Sequence, residues 1–289
     1  MRSKHFVGVD VGCTNVKLVS KIGENFFFHK EFPTGDNLSK DELIEIITEY
    51  LATFHDSLDG MGIAFSGVTT DNKTVKRSTL PCLYKFSIED FSFLKCKNNI
   101  KLLNDSNAST LAGTIEYPNS KVLVGITNGT GIGLGVAING CLFSGSNGYL
   151  GEIYGNYTMT EDGTINKIGR IISGSKIKNI SDSEKGRVIL YLATLLSQVI
   201  NFYNPDIIYF SGGGFNHNIS ILKESIEIAK SNGYEYLTKN LDFVISGFGP
   251  YAGAVGATKF VSWKKVSILA YSYIETFFII HYLIFYLIF

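Results

Sequence analysis

Cysteine is sparse in this sequence, and the four that occur (Cys13, Cys82, Cys96 and Cys141) form no C-x-x-C pair. That spacing argues against both a zinc cluster and a disulfide framework, and reads as reduced thiols in a cytoplasmic protein. Charge of neither sign is in excess, with 26 Lys and Arg against 26 Asp and Glu. No long run of like charge suggests a nucleic-acid partner. A cleavable leader is not expected either, because "MRSKHFVGVDVG" enters a strand pattern almost at once. Dense apolar stretches are few, and the exception is "VSILAYSYIETFFIIHYLIFYLIF" from Val266 onward. It has about the ~20 residues of a membrane span, but Glu275 and His281 interrupt it and both are costly in a bilayer. Two readings stay open: a tail anchor, which alone would bring a membrane partner, or an apolar extension encoded past a lost stop codon. On the second, truncation at Lys265 leaves an active protein.

What is present is glycine in an unusual place. In "KVLVGITNGTGIGLGVAINGCLFSG" (Lys121–Gly145) every second residue from Gly129 to Gly135 is glycine, between two apolar runs that read as strands. Bare backbone inside a strand costs stability, so such a cluster marks a tight turn or the close approach of another group. The segment reads strand, Gly-rich turn, strand, Asn139-Gly140 turn, short strand. "FVGVDVGCTNVKLVSKIGENFFFHKEF" has the same plan over a hundred residues earlier, which points to an internal duplication. Leu43, Ile46, Ile47, Tyr50, Leu51 and Phe54 are spaced as one face of a helix. "GMGIAFSG" (Gly60–Gly67) reads as a buried strand ending at a glycine, and "IKLLNDSNASTLAG" (Ile100–Gly113) as a strand running into a helix. Asp105, Ser106 and Asn107 are the cap candidates there. Glu184 to Tyr203 reads as a long helix stopped by Pro205, followed by the strand "DIIYFSGGG". Strands alternating with helices make the fold α/β, and the two meanders make its sheets mixed.

The glycine cluster fits neither familiar phosphate fingerprint. A dinucleotide fold requires G-x-G-x-x-G to open a helix, and a P-loop requires a following lysine; here a strand follows and no such lysine exists. That removes a nicotinamide dehydrogenase from consideration. A strand–turn–strand cradle instead offers backbone N–H groups and a Thr hydroxyl to phosphate oxygens. Thr14 in "DVGCTN" and Thr130 in "NGTG" stand where such hydroxyls belong. Asp10, ending its strand beside the first turn, suits a magnesium ion that keeps most of its waters; as a bland alternative it is a turn-forming Asx residue.

"GVDVGCTN" resembles the first phosphate motif, D-x-G-G-T, of the actin-like ATPase and sugar-kinase superfamily, with Cys13 in place of the second glycine. "NGTGIGLGVAINGCLFSGSNGYLGE" resembles the second phosphate and sugar-binding segment of the ROK family of bacterial sugar kinases and sugar-responsive repressors. "LLNDSNASTLAG", "INFYNPDIIYFSGGG" and "GPYAGAVGAT" are similar to that family's catalytic, adenosine-loop and C-terminal helix segments, in order from about Phe6 to Lys259. The resemblance implies a two-domain, ribonuclease H-like actin-ATPase fold with ligands in the interdomain cleft. The expected domains are 1–113 and 114–263, the last helix (about 251–263) packing back on the first, with 264–289 as the apolar tail. It implies ATP and Mg as cofactors and a small-molecule sugar, a hexose or N-acetylhexosamine, as substrate; a homodimer is the expected assembly. Asp105 matches the catalytic base, with a helix N-cap as its ordinary alternative. Asp10, Gly12, Thr14, Gly129, Thr130 and Gly131 match the phosphate and metal positions, and Gly212, Gly213 and Gly214 the adenosine loop. Gly67, Asn104, Asp105 and Glu152 match sugar ligands.

The chain also departs from the family pattern. After "GE" it runs Ile153-Tyr154-Gly155-Asn156 where G-E-x-G-H is usual, so the histidine is missing. The following window, "YTMTEDGTINKIGRIISGSK", has no Cys and no His and offers only Glu161 and Asp162, so no zinc is expected. Gly169 stands about where the family has a second sugar-binding glutamate. A repressor of this family carries a helix-turn-helix ahead of its first strand, and five residues before Phe6 leave no room for one. The competing expectation is a sugar-binding regulatory protein of the same fold with little catalysis.

Overall fold

Two meanders of identical plan organise the chain. In the first, β1 (His5–Val11), β2 (Asn15–Ile22) and β3 (Asn25–Pro33) pair antiparallel. Helix α1 (Lys40–Ala52) follows, then β4 (Gly60–Phe65), the short antiparallel pair β5 (Gly67–Val68) and β6 (Arg77–Ser78), β7 (Ile100–Asn104) and α2 (Asp105–Glu116). The sheet order is β3-β2-β1-β4-β7, with β1, β4 and β7 parallel. The computed structural model describes residues 2–262 apart from 36, 55–57, 161 and 179. The apolar tail therefore lies outside the described residues, among which no helix is long and apolar enough to cross a membrane.

The second meander is β8 (Val122–Asn128), β9 (Ile132–Ile138) and β10 (Cys141–Phe143). The hairpin β11 (Tyr157–Met159) and β12 (Ile165–Lys167) and two single-turn helices, α3 (Gly169–Ile172) and α4 (Gly174–Ile177), precede the long α5 (Asp182–Tyr203). Then come β13 (Ile207–Ser211), α6 (Gly213–His217), α7 (Ile219–Ser231), α8 (Glu235–Thr238), β14 (Asp242–Ile245) and α9 (Ala252–Ser262). The order β10-β9-β8-β13-β14, with β8, β13 and β14 parallel, reproduces the first sheet strand for strand. The expected duplicated, mixed α/β architecture is what the chain forms.

Local chemistry sets the element ends. Ser39 and Glu42 close a capping box on α1, whose Leu43, Ile47 and Tyr50 are buried at helical spacing. Helix α5 ends where Asn204 turns left-handed (φ 43°) just before Pro205. Each sheet carries its own core: Val7, Val9, Leu18, Leu43, Ile63 and Phe86 in the first, Val124, Ile126, Leu134, Leu192, Leu196 and Phe210 in the second. Helix α9 lies against β1 and β4, and α2 against β8 and β9, with α2 and α9 also packed on each other. These two helices join the sheets, and the site grows from the strand ends beside them.

Candidate active site

The turn after β1 is closed by the Gly12 N–H donating to the Asn15 carbonyl at 3.1 Å. The turn after β8 is closed by the Gly129 N–H donating to the Gly131 carbonyl at 3.0 Å. Those two amides serve turn shape. Thr14 and Thr130 are both exposed, their hydroxyls have no hydrogen-bond partner among the described residues, and the space beside Gly129 is open. The glycine cluster thus divides in two. Gly129 and Gly131 form an open turn, whereas a Cβ at Gly133 or Gly135 would run into the Ser106 and Thr110 hydroxyls of α2. Half of the bare backbone exists so that a helix can approach a strand.

The three glycines after β13 also differ among themselves. Gly212 takes φ +94°, and a side chain on Gly212 or Gly214 would meet Asn128 at the end of β8, whereas Gly213 faces only the His217 ring at 3.6 Å. This loop is therefore packed directly against the start of the second glycine turn.

At the β7–α2 junction the cap expectation needs correcting. The N-cap is Asn104, whose Oδ1 accepts from the Ser106 and Asn107 N–H groups at 2.9 and 3.1 Å while its Nδ2 donates to the Gly67 carbonyl at 3.1 Å. Asn104 fills the cap because it holds the extended backbone that the position needs. Asp105 is the first helical residue. Its Oδ1 accepts from the Ser106 N–H at 2.8 Å, and Oδ2 is left without a partner among the described residues. Burial pushes its carboxyl up to about 7; the nearby Asp10 carboxylate adds to this, and Glu152 adds less. Asp10 is also raised by burial, with Glu31 adding and Lys17 opposing. Its carboxylate rests against Gly253 in the first turn of α9 and has no hydrogen bond or ion pair among the described residues.

A cavity of about 1570 Å³ opens beside this junction, and Gly67, Asn104, Asn107 and Glu152 line it. Three of the four expected sugar ligands thus share one wall system with the Asp105 junction, and Glu152 lies close enough to raise the Asp105 carboxyl. Asn107 was legible in the sequence only as a cap candidate. Its Oδ1 is buried and unpartnered, and the signal for it was its place one turn after Asn104 on the same helix face.

The segment after Glu152, which lacks the further glutamate of the family pattern, has its own local structure. Asp162 is held within its own turn by Thr160 and Thr164, which depress its carboxyl to about 2. Among the described residues no three His, Cys, Asp or Glu gather as metal ligands. Tyr154 lies so close over Gly169 that a Cβ there would enter its ring, and the same ring comes within 3.9 Å of a Cβ position at Gly131. An aromatic face therefore occupies the space that a side chain at 169 would need.

The ROK family model matches residues 6–170, and together with the duplicated fold and its two glycine turns this shows that the chain belongs to the ROK family. It is 28% identical over 165 residues to an N-acetyl-D-glucosamine kinase of Yersinia pestis, a match covering 54% of this chain and 63% of that one. The chain thus spans less than two thirds of that relative's length. It is 22% identical over 302 residues to a xylose repressor of Bacillus spizizenii, covering 90% of this chain and 77% of the repressor. Among solved structures, a ROK family glucokinase from Streptomyces griseus in complex with glucose and AMPPNP superposes with a TM-score of 0.68 at 16% identity. That match covers 89% of this chain and 98% of the glucokinase.

Proposed function

We propose that this chain is an ATP-dependent sugar kinase that phosphorylates a hydroxyl of a hexose or N-acetylhexosamine, with Asp105 as general base. The observation that carries this reading is the Asp105 carboxyl itself, held near pKa 7 beside the cavity with Oδ2 unengaged. A base is most effective when its pKa lies near the working pH. Oδ1 stays on the Ser106 N–H and fixes the carboxylate, while Oδ2 accepts the proton of the attacking hydroxyl. Asn104, Asn107 and Glu152 orient the sugar. Asn104 has one amide hydrogen to spare after its cap and Gly67 bonds.

The Thr14 and Thr130 hydroxyls and the Gly131 backbone are the groups that would face the donor's phosphates, and Gly212–Gly214 the adenosine. Asp10 fits magnesium: it is an unpaired, partly buried oxygen donor with few protein ligands around it, as that ion prefers. Bound there through water, magnesium would offset charge on the transferred phosphoryl group. The same reading divides the chain into domains 1–113 and 114–263 with α9 packed back on the first, and it needs no zinc.

The test is a coupled ADP-release assay over a panel of hexoses and N-acetylhexosamines. Sugar-dependent release that collapses in Asp105→Asn supports the kinase. A second reading, a sugar-binding regulator with little catalysis, is favoured by the repressor relative and by Tyr154 standing over Gly169. Sugar binding without ADP release in the same panel would select it.

A further inference from the structure

The cavity is larger than one sugar ring needs, and it has a direction. Typical small-molecule sites span about 300–1,000 Å³, whereas this one is about 1570 Å³. It follows β7, the edge strand of the first sheet. From Asn104 back to Ile100 is about 13 Å at the usual rise per residue, and the lining continues past Ile100 to Lys97. The opposite wall comes from the segment after β10, where Gly148 reaches the Thr69 carbonyl.

The far end is cationic. Lys101 stands on β7 itself, Lys73 follows Asn72, whose carbonyl accepts from the Leu102 N–H, and Lys97 precedes Ile100. All three therefore line the groove on the Ile100 side of Asn104, with Asp71 and Glu89 as the carboxylates nearby. Asp71 is already engaged by the Lys73 and Thr74 N–H groups at 2.8 Å and by Lys76 at 3.5 Å. Lys101 is anchored to the Phe260 carbonyl at 3.4 Å and over its ring. Lys73 and Lys97 pair with no carboxylate among the described residues, which leaves Glu89 as the only unengaged opposing charge at that end.

Resting on the kinase reading above, we propose that the acceptor is longer than a monosaccharide and carries an anionic substituent, a phosphate or a carboxylate, held by Lys73 and Lys97 at the far end of the groove. The sugar hydroxyl to be phosphorylated lies at the Asp105 end, and the remainder of the molecule runs along β7. Lys101 adds to the field without leaving its anchor.

Nucleotide-free calorimetry at low salt tests this apart from catalysis. The probes are gluco-, galacto- and manno-configured disaccharides in neutral form, with a terminal 6-phosphate, and with a terminal uronate. An anionic form is expected to bind about tenfold tighter than its neutral parent, the scale of two partly exposed charge contacts. In Lys73→Gln/Lys97→Gln that gain should shrink to about twofold, with neutral sugar affinity unchanged; both side chains are exposed, so folding is not at stake. A phosphate-only or uronate-only gain identifies the substituent. Equal affinity of neutral and anionic forms, or a gain that survives the double substitution, overturns the proposal and leaves the sugar site standing. Binding of no panel disaccharide also overturns the proposal, and the ADP-release panel of hexoses and N-acetylhexosamines then decides the kinase reading separately.

Discussion

Asp105→Asn should make the protein less active and, above neutral pH, more stable. The carboxyl titrates at about 7 in the folded chain against an ordinary 3.8, so folding holds the proton on. Such a group leaves stability untouched below its unfolded pKa. Stability then falls as pH rises, until the folded pKa is passed. Over the full window of about 3 units, the loss amounts to about 4 kcal/mol as a ceiling. Between pH 5 and pH 8 the wild type should lose about 3 kcal/mol that the Asn variant keeps. The cap is not at risk, because Asn104 makes it, and an amide oxygen at 105 can still take the Ser106 N–H. Urea denaturation of both proteins at pH 5 and pH 8, with chelator and without nucleotide, reads the difference directly. Turnover, measured on the same preparations with magnesium and ATP, should fall by about 10²–10⁴-fold. Parallel stability curves at the two pH values would refute the buried-carboxyl argument. Turnover within a few-fold of wild type would refute the base.

With wild type, kcat/KM for sugar should drop about tenfold per unit as pH falls below about 7, following the Asp105 carboxyl; a flat profile from pH 5 to 8 would contradict its role. Asp10→Asn should raise the magnesium needed for half-maximal rate by about tenfold or more while leaving nucleotide-free sugar affinity near wild type, measured by metal titration and calorimetry. Gly169→Ala puts a methyl into the Tyr154 ring and should cost about 1–3 kcal/mol; adding Tyr154→Ala should recover most of it, and additive losses in that cycle would show that the two do not touch. Elemental analysis of chelator-washed protein should find zinc well below one per chain, and a stoichiometric content would reopen the assignment of the 157–176 segment.

Much of the fold was legible because its signals are local. The repeated strand–turn–strand pattern, the Leu43–Ile47–Tyr50 stripe and the Pro205 stop depend on neighbours a few residues away, and each appears where expected. The site was legible in its parts and less so in their division of labour. Asp105 looked like both base and cap, since Asn and Asp cap comparably well. Gly133 and Gly135 looked like part of a phosphate turn, since their alternation is continuous with that of Gly129 and Gly131. Only the approach of Ser106 and Thr110 separates them.

By itself the sequence determined the α/β duplication, the two open turns with Thr14 and Thr130, and the junction that carries Asp105, because backbone conformation and hydrophobic period are written in short stretches of chain. The tertiary structure alone decided that Asp10, Asp105 and Glu152 share one field, that Asn104 takes the cap and frees a carboxylate, and that Tyr154 occupies the space over Gly169. It also decided that an edge strand becomes the floor of a groove with ammonium groups at its far end. Desolvation, charge proximity and competition for one volume are properties of positions in space, and residues far apart in the chain acquire them only when two sheets and the helices α2 and α9 bring them together.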